Sequence, residues 1–493
     1  MNVGMSIGSQ LVMLFLAFVI PRIIILSYGS DTNGATATIT QIFTYLTLLE
    51  AGISQATRNK LFKPIKENNR EEISYWLSVS RLYFRKISLI YFLIVLAMTF
   101  TLPAILKTNV DYWSVAFYIF FEGLTSVVSF CFINTWVAFL TANGNMYVVN
   151  SLTLLNKTLC YGVKIILALM GVSIALIQVG FFFVAVLQVT LYFLYMRKKF
   201  RWINFSVKTK DAVLPDRGSY ILVEIAWTIF SSTDMILLSI FTSTAAASVY
   251  SVYNMPFAAL NGLLNAVYCS LSYNLGMAFH ESLEKYRKVH DLFNSFFMGG
   301  MTILLSVAYV MIIPFIKLYT RGVTDCDYIY PSLPFLFCLV QFLSWSRMVS
   351  GNLFGVSSKI RSIILISVVE ALVNLTASIL LVQRFGIVGV LIATVIALPL
   401  KVVYCNYVAD RVILKRSLFR TISILGVNGG FLVAVALINP WLNLQITSYL
   451  SFALYGVALL GVAAVVVGGL NIVVNRDLLQ IKTLVYAKKR SKA

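Results

Sequence analysis

Long apolar runs, separated by short polar turns, fill this sequence from end to end. A helix needs about 20 mostly apolar residues to cross a hydrocarbon core of roughly 30 Å, and backbone groups in lipid must be satisfied within their own segment. Each run therefore predicts a membrane-spanning helix. Fourteen are predicted, over 4–27, 32–57, 83–106, 113–140, 145–170, 173–196, 219–241, 247–276, 291–316, 329–352, 362–383, 386–408, 421–438 and 447–474. The connections inside 145–196 and 362–408 are very short, at Gly171 and at Arg384 to Gly386. The fold class expected is an all-α polytopic membrane protein.

The basic positions test that count. On one side fall Arg58, Lys60, Lys63, Lys66, Arg70, Arg81, Arg85 and Lys86, the cluster from Arg197 to Arg217, and Lys285, Arg287 and Lys288. Lys359, Arg361, Lys401, Arg411, Lys415, Arg416, Arg420 and the basic tail follow, for 31 of the 39 Lys and Arg. The opposite side holds Lys107, Lys317, Arg321 and Arg384. The positive-inside rule places both termini in the cytoplasm and favours an even number of spans. Outer loops are short, which excludes a folded outer domain and argues against glycan polymerases and ligases with a large catalytic outer loop. The first run lacks a small-residue cleavage site and reads as a retained span.

The longest interior polar stretch, near 197–218, divides the chain. The expected organisation is a six-helix lobe over 1–196, a basic cytoplasmic linker over 197–218, a second six-helix lobe over 219–408, two extra helices over 409–475 and a basic cytoplasmic tail over 476–493. The halves share a short outer turn after the first span and a basic inner loop after the second. Such a layout suits a parallel repeat about an axis along the membrane normal.

Composition agrees with this picture. The 493 residues are 59% hydrophobic and 12% charged, with a mean hydropathy of +0.85, so a soluble enzyme with one anchor is excluded. The net charge of +20 is then mainly an orientation signal, not a nucleic-acid surface. Six cysteines without metal-knuckle or CxxC spacing, and two histidines, give no zinc site or disulfide framework. No cofactor is expected. The absence of a glycine-rich phosphate loop excludes an ATP-driven pump. A secondary transporter, a channel and a membrane-embedded enzyme remain.

Nine charged residues of the predicted spans are read as intramembrane charges: Arg22, Lys157, Lys164, Arg347, Glu50, Glu122, Glu224, Asp234 and Glu370. At roughly 2.5–3.5 kcal/mol each at a helix centre, they require an interior lined by protein or water. Arg22 and Arg347 lie near span ends, where they can snorkel. In span five, Asn150, Lys157, Tyr161 and Lys164 fall within about 40° of one line, a cationic stripe. It either pairs with carboxylates such as Glu122 or forms a cavity wall that meets an anion. In span eight, Asn254, Asn261 and Asn265 form an amide stripe, which either glues helices or reads sugar hydroxyls. Glu224 and Asp234 in span seven, and Glu370 beside Asn374 and Ser378 in span eleven, are either proton or sodium sites or static partners of the basic residues.

Four stretches resemble one family. Leu48-Leu-Glu-Ala-Gly-Ile-Ser-Gln-Ala-Thr-Arg58 resembles a Leu-x-x-x-Gly-x-x-x-Ala-x-x-Arg pattern, and Asp234-Met-Ile-Leu-Leu-Ser239 an Asp-x-x-Ile-x-Ser pattern. Ala247-Ser-Val-Tyr-Ser-Val-Tyr253 resembles the start of the family's span eight, and Phe385-Gly-Ile-Val-Gly-Val-Leu-Ile-Ala-Thr394 its Gly-x-x-Gly-x-x-x-Ala-Thr of span twelve. In this order, with a 6+6+2 layout, the chain resembles the multidrug/oligosaccharidyl-lipid/polysaccharide (MOP) flippase superfamily, and within it the Wzx-type flippases of O-antigen or capsule repeat units.

The resemblance implies two six-helix lobes around a central cationic cavity that alternates between inward-open and outward-open. It implies a bacterial inner-membrane flippase in polysaccharide or lipopolysaccharide biosynthesis, with undecaprenyl-diphosphate-linked oligosaccharide as cargo and H+ or Na+ coupling. Lys157 and Lys164, with Tyr161, Asn150, Arg22, Arg58, Asn261, Asn265 and Arg347, are the candidate cargo residues. Asp234, Glu224, Glu370, Glu122 and Glu50 are the candidate ion-coupling residues. Whether a polysaccharide polymerase and a chain-length regulator act beside it stays open. The alternatives are a drug or small-cation exporter of the same fold and a membrane-embedded glycan polymerase.

Overall fold

The computed structural model describes residues 2–205, 228, 232–357, 360–442, 444, 446–476 and 478, but not the side chains of 2–15, 48–52, 270–274, 276–281, 355–356 and 360–362. Most of the expected linker over 197–218, the start of span seven with Glu224, the tail beyond 478 and the side chain of Glu50 lie outside the described residues.

The described residues are almost entirely helical, and none is in a strand. The helices are α1 (Asn2–Lys66), α2 (Arg70–Ile105), α3 (Tyr112–Val128), α4 (Asn134–Ala142), α5 (Met146–Leu169), α6 (Ile174–Lys199), α7 (Ser232–Thr242), α8 (Thr244–Glu281), α9 (Leu283–Tyr319), α10 (Leu333–Trp345), α11 (Met348–Val356), α12 (Ile360–Tyr407), α13 (Phe419–Ile438) and α14 (Tyr449–Val474). Nine helical segments among the described residues are long and apolar enough to cross a membrane. This is a multi-pass membrane protein.

Several helices depart from one apolar run per helix. α1 carries the first two runs and breaks at Gly29, and α12 carries the eleventh and twelfth and breaks at Gly386. Their φ values of 85° and 54° lie where glycine is favoured, so the chain changes direction without a loop. A five-residue π turn, Ser129–Ile133, joins α3 to α4. Caps fix the polar ends. The Asn69 side chain accepts from the Glu72 N–H at 3.1 Å to start α2, and Ser282 accepts from Lys285 N–H at 3.2 Å to start α9.

The chain divides into two compact units, Met1–Val249 and Tyr250–Ala493. The first has an apolar core around Ile39, Tyr91, Tyr118 and Phe130. A second cluster, at the end nearest the basic loops, joins Leu61, Leu77, Phe139 and Tyr192 to Trp136, Phe200 and Phe205. The turn from α7 to α8 docks on α1: Asn33 Nδ2 donates to Ser248 Oγ at 2.8 Å, Thr244 Oγ1 to Asp31 Oδ1 at 2.6 Å, and Thr38 and Ser239 share a hydrogen bond of 2.5 Å.

In the second unit, α13 and α14 are bound to each other and to α9. Asn428 and Asn471 exchange amide hydrogen bonds of 3.0 and 3.1 Å. At the basic-loop end, Arg416 contacts Asp291 and Asp410 at 2.7 Å each, and Asn475 Nδ2 donates to Ser295 Oγ at 3.0 Å. Interhelical amide bonds in bilayers contribute roughly 0.6–1.7 kcal/mol. Asn428→Ala, which leaves the Asn471 amide without this partner, is expected to lower stability by about that amount. Thermal unfolding in detergent checks it, with Asn428→Ala/Asn471→Ala closing a double-mutant cycle.

Candidate intramembrane charge centres

Each unit holds a cluster of charged side chains within its helices. In the first unit, Glu122 of α3 accepts a hydrogen bond from Gln178 Nε2 of α6 and interacts electrostatically with Lys164 of α5. The Lys164 ammonium also sits 5.5 Å from the centroid of the Phe181 ring. A carboxylate within electrostatic reach and an aromatic face together compensate part of that charge in a medium that solvates it poorly. Lys157, two turns earlier and roughly 10 Å along the helix, is exposed and makes no hydrogen bond or ion pair with a described residue. The two lysines of the stripe therefore differ: Lys164 lies within electrostatic reach of Glu122 and against the Phe181 ring, whereas Lys157 is exposed. Tyr161 and Asn150 lie partly buried on the same helix.

The other candidates of this unit are dispersed. Asp234 is buried on α7, within electrostatic reach of Tyr45, and the Tyr45 hydroxyl shares a hydrogen bond of 2.5 Å with neighbouring Thr233. Arg58 donates to Gln55 Oε1 at 2.6 Å, one turn away on α1. Arg22 is partly buried on α1 before the break at Gly29.

The second unit brings three charges together. Arg347, 4% exposed, sits between α10 and α11 and donates through Nη1 to Glu370 Oε1 of α12. Lys401, later in α12, places Nζ 3.6 Å from the other oxygen, Glu370 Oε2. Two cations thus share one buried carboxylate. Amides and hydroxyls surround them: Ser350 Oγ donates to Asn406 Oδ1 at 2.6 Å, and Asn374 Nδ2 to Thr394 Oγ1 at 2.9 Å. Asn261 Oδ1 accepts from Trp345 Nε1 at 2.7 Å, so this amide acts as a helix-to-helix contact, while Asn265 is exposed.

The sequence reading groups Lys401 with the basic loops, although it lies inside the run 386–408. The structure corrects this: flanked by Leu398, Pro399, Leu400, Val402 and Val403, it is an intramembrane charge. That apolar flank is the available signal. Gln178, the hydrogen-bond partner of Glu122, has no comparable signal.

Among solved structures, an inward-facing multidrug resistance transporter of the MATE family, in the MOP superfamily, superposes with a TM-score of 0.64 at 14% identity, over 82% of this chain and 95% of that one. The lipid II flippase MurJ, in an inward closed conformation, superposes with a TM-score of 0.69 at 13% identity, over 97% of this chain and 100% of that one. The chain has the fold of the MOP superfamily. A third structure, the MATE multidrug transporter DinF-BH, gives a TM-score of 0.56 at 18% identity over 83% of this chain and 94% of that one. No family model matches the sequence, and no curated protein does. On this MOP fold, the two charge centres are built from helices α3, α5 and α6 in one unit and the α10–α12 region in the other.

Proposed function

We propose that the protein is a flippase that moves undecaprenyl-diphosphate-linked oligosaccharide, an O-antigen or capsule repeat unit, across the bacterial inner membrane. The carrying observation is the set of cations inside the helices. Arg347 and Lys401 share Glu370, and Lys157 and Lys164 add two positive charges on one helix with Glu122 within electrostatic reach of Lys164. A diphosphate entering a poorly solvated site gains more from such charges than it would in water. Guanidinium and ammonium groups are its natural hydrogen-bond donors. The structural likeness to a lipid II flippase supports the reading.

A second reading, a drug exporter, is favoured by the multidrug transporters among the neighbours and by the carboxylates Glu122 and Asp234. A site for cationic drugs needs a surplus of such carboxylates, whereas among the described side chains within the helices the cations outnumber them. In both readings Glu122 and Asp234 are the candidates for proton or sodium coupling among the described side chains, because Glu370 is engaged by two cations; Glu224 and Glu50 stay candidates outside them.

The separating experiment deletes the protein from its native cell. Lipid-linked repeat units are expected to accumulate facing the cytoplasm while surface polymer falls; unchanged polymer with increased sensitivity to cationic dyes supports the exporter instead. Lys157→Ala is expected to reduce flipping at normal membrane insertion, because that lysine has no structural partner to lose among the described residues. Lys164→Ala is expected to reduce it as well, and also to lower thermal stability slightly, because it removes the contact with the Phe181 ring and the nearby positive charge from Glu122. Wild-type polymer in the double variant would reduce the stripe to a packing feature.

A further inference from the structure

A cavity of about 510 Å³ opens at the end of α6 nearest the basic loops, and none of the intramembrane charges lines it. Trp136, Phe193, Phe200 and Phe205 line it together with Arg197 and Arg201, and no carboxylate lines it. Its wall is a built structure. Trp136 packs edge-on to Phe205 with ring centroids 4.9 Å apart, and Phe200 packs likewise on Phe139 at 5.0 Å. Asn204 N–H donates to Ser74 Oγ at 3.3 Å, tying the segment after α6 to α2. Arg201 Nε donates to the Arg197 carbonyl at 3.1 Å, which ties the Arg201 side chain to the end of α6, and both arginines line the same cavity. Neither forms an ion pair with a carboxylate of the described residues.

The position of the cavity decides its occupant. From Ile174 to Met196 α6 carries no charged residue, and Arg197, Lys198 and Lys199 follow at once. Charge begins where hydrocarbon ends, so the arginines sit at headgroup depth. On the apolar side Phe193 is 53% exposed and offers a ring to an acyl chain. Guanidinium groups fit a phosphate by forked hydrogen bonds, and basic pockets on this face of a membrane suit anionic headgroups.

We propose that this cavity binds an anionic phospholipid of the surrounding bilayer, its phosphate on Arg197 and Arg201 and one acyl chain against Phe193. The site does not depend on what the protein transports. It ties the end of α6 to the headgroup layer, at the point where the chain leaves the first six spans.

The test uses the purified full chain in phosphatidylcholine vesicles containing increasing brominated phosphatidylglycerol. Trp136 fluorescence is isolated as the difference from Trp136→Phe. Bromine on a bound acyl chain is expected to quench Trp136 at low lipid fractions. The fraction for half-quenching should rise about thirty-fold in R197Q/R201Q and about five-fold in R201Q alone, with recovery in R197K/R201K. K285Q/K288Q, which removes charge elsewhere, should leave it unchanged. If R197Q/R201Q does not fold, competition on the wild type decides: unlabelled phosphatidylglycerol should relieve quenching and phosphatidylcholine should not. Equal half-quenching in folded R197Q/R201Q, or equal competition by the two lipids, would overturn the proposal. Relief by inorganic phosphate as effective as by the lipid would overturn the lipid assignment in favour of a free phosphate.

Discussion

Glu370→Ala is expected to be among the most destabilising single substitutions in the chain, by about 3–5 kcal/mol. Glu370 is 2% exposed, and its two oxygens face Arg347 and Lys401. Removing the carboxylate leaves two neighbouring cations without their shared anion in a medium that cannot solvate them. The expected readout is a large fall in the apparent melting temperature in detergent and low recovery of monodisperse protein. Replacing the whole centre with apolar residues of similar size, as Arg347→Met/Glu370→Leu/Lys401→Met, should restore most of the stability, because the desolvation penalty goes with the charges. That variant should still fail to transport if these charges meet the cargo. A stable, active triple variant would make the centre purely architectural, and a Glu370→Ala protein as stable as wild type would show that the carboxylate does not hold the cations.

Gly34→Ala is expected to displace the α7–α8 turn from α1. A Cβ at position 34 would lie 1.6 Å from the Thr244 carbonyl oxygen and 2.9 Å from the Ser248 amide nitrogen, both backbone atoms that no rotamer change can move. The hydrogen bonds flanking this contact, Asp31 to Thr244 and Asn33 to Ser248, should break with the displacement. Each contributes roughly 1 kcal/mol, so losing two shifts the docked population by at least about tenfold. Labelling of Ala247→Cys, a buried position on the same turn whose side chain makes neither hydrogen bond, by a water-soluble maleimide in a background without native cysteines should accelerate by that factor, and transport should fall. Unchanged labelling would mean that α1 accommodates the methyl group without moving the turn.

Much of the architecture is legible in the sequence because lipid imposes a strong rule: apolar runs of spanning length become helices. Gly171 and Gly386 stand out as the sharpest connections, and both have positive φ in the structure. The charge centres are less legible. Helical spacing places Lys157 and Lys164 on one face, but it carries no information about which helix lies opposite. The different surroundings of Lys164, beside Glu122, and of Lys157 emerge only from the packing. Arg347 and Glu370 are recognisable singly as costly charges. Their grouping stays hidden while Lys401 is counted with the loops, because a loop lysine needs no partner. The aromatic cavity at the end of α6 is hidden for a related reason: its arginines belong to a basic cluster that topology alone explains.

Whether the cations inside the helices serve a diphosphate-bearing lipid is measured most directly with the purified protein in liposomes. A short-chain polyprenyl-diphosphate oligosaccharide is supplied, and sugar exposure to an impermeant lectin is followed under an imposed ion gradient. Exposure is expected to exceed that of protein-free liposomes and to fall toward that level in Lys157→Ala/Lys164→Ala. Exposure no faster than in protein-free liposomes, with active movement of a cationic dye by the same preparation, would contradict the account.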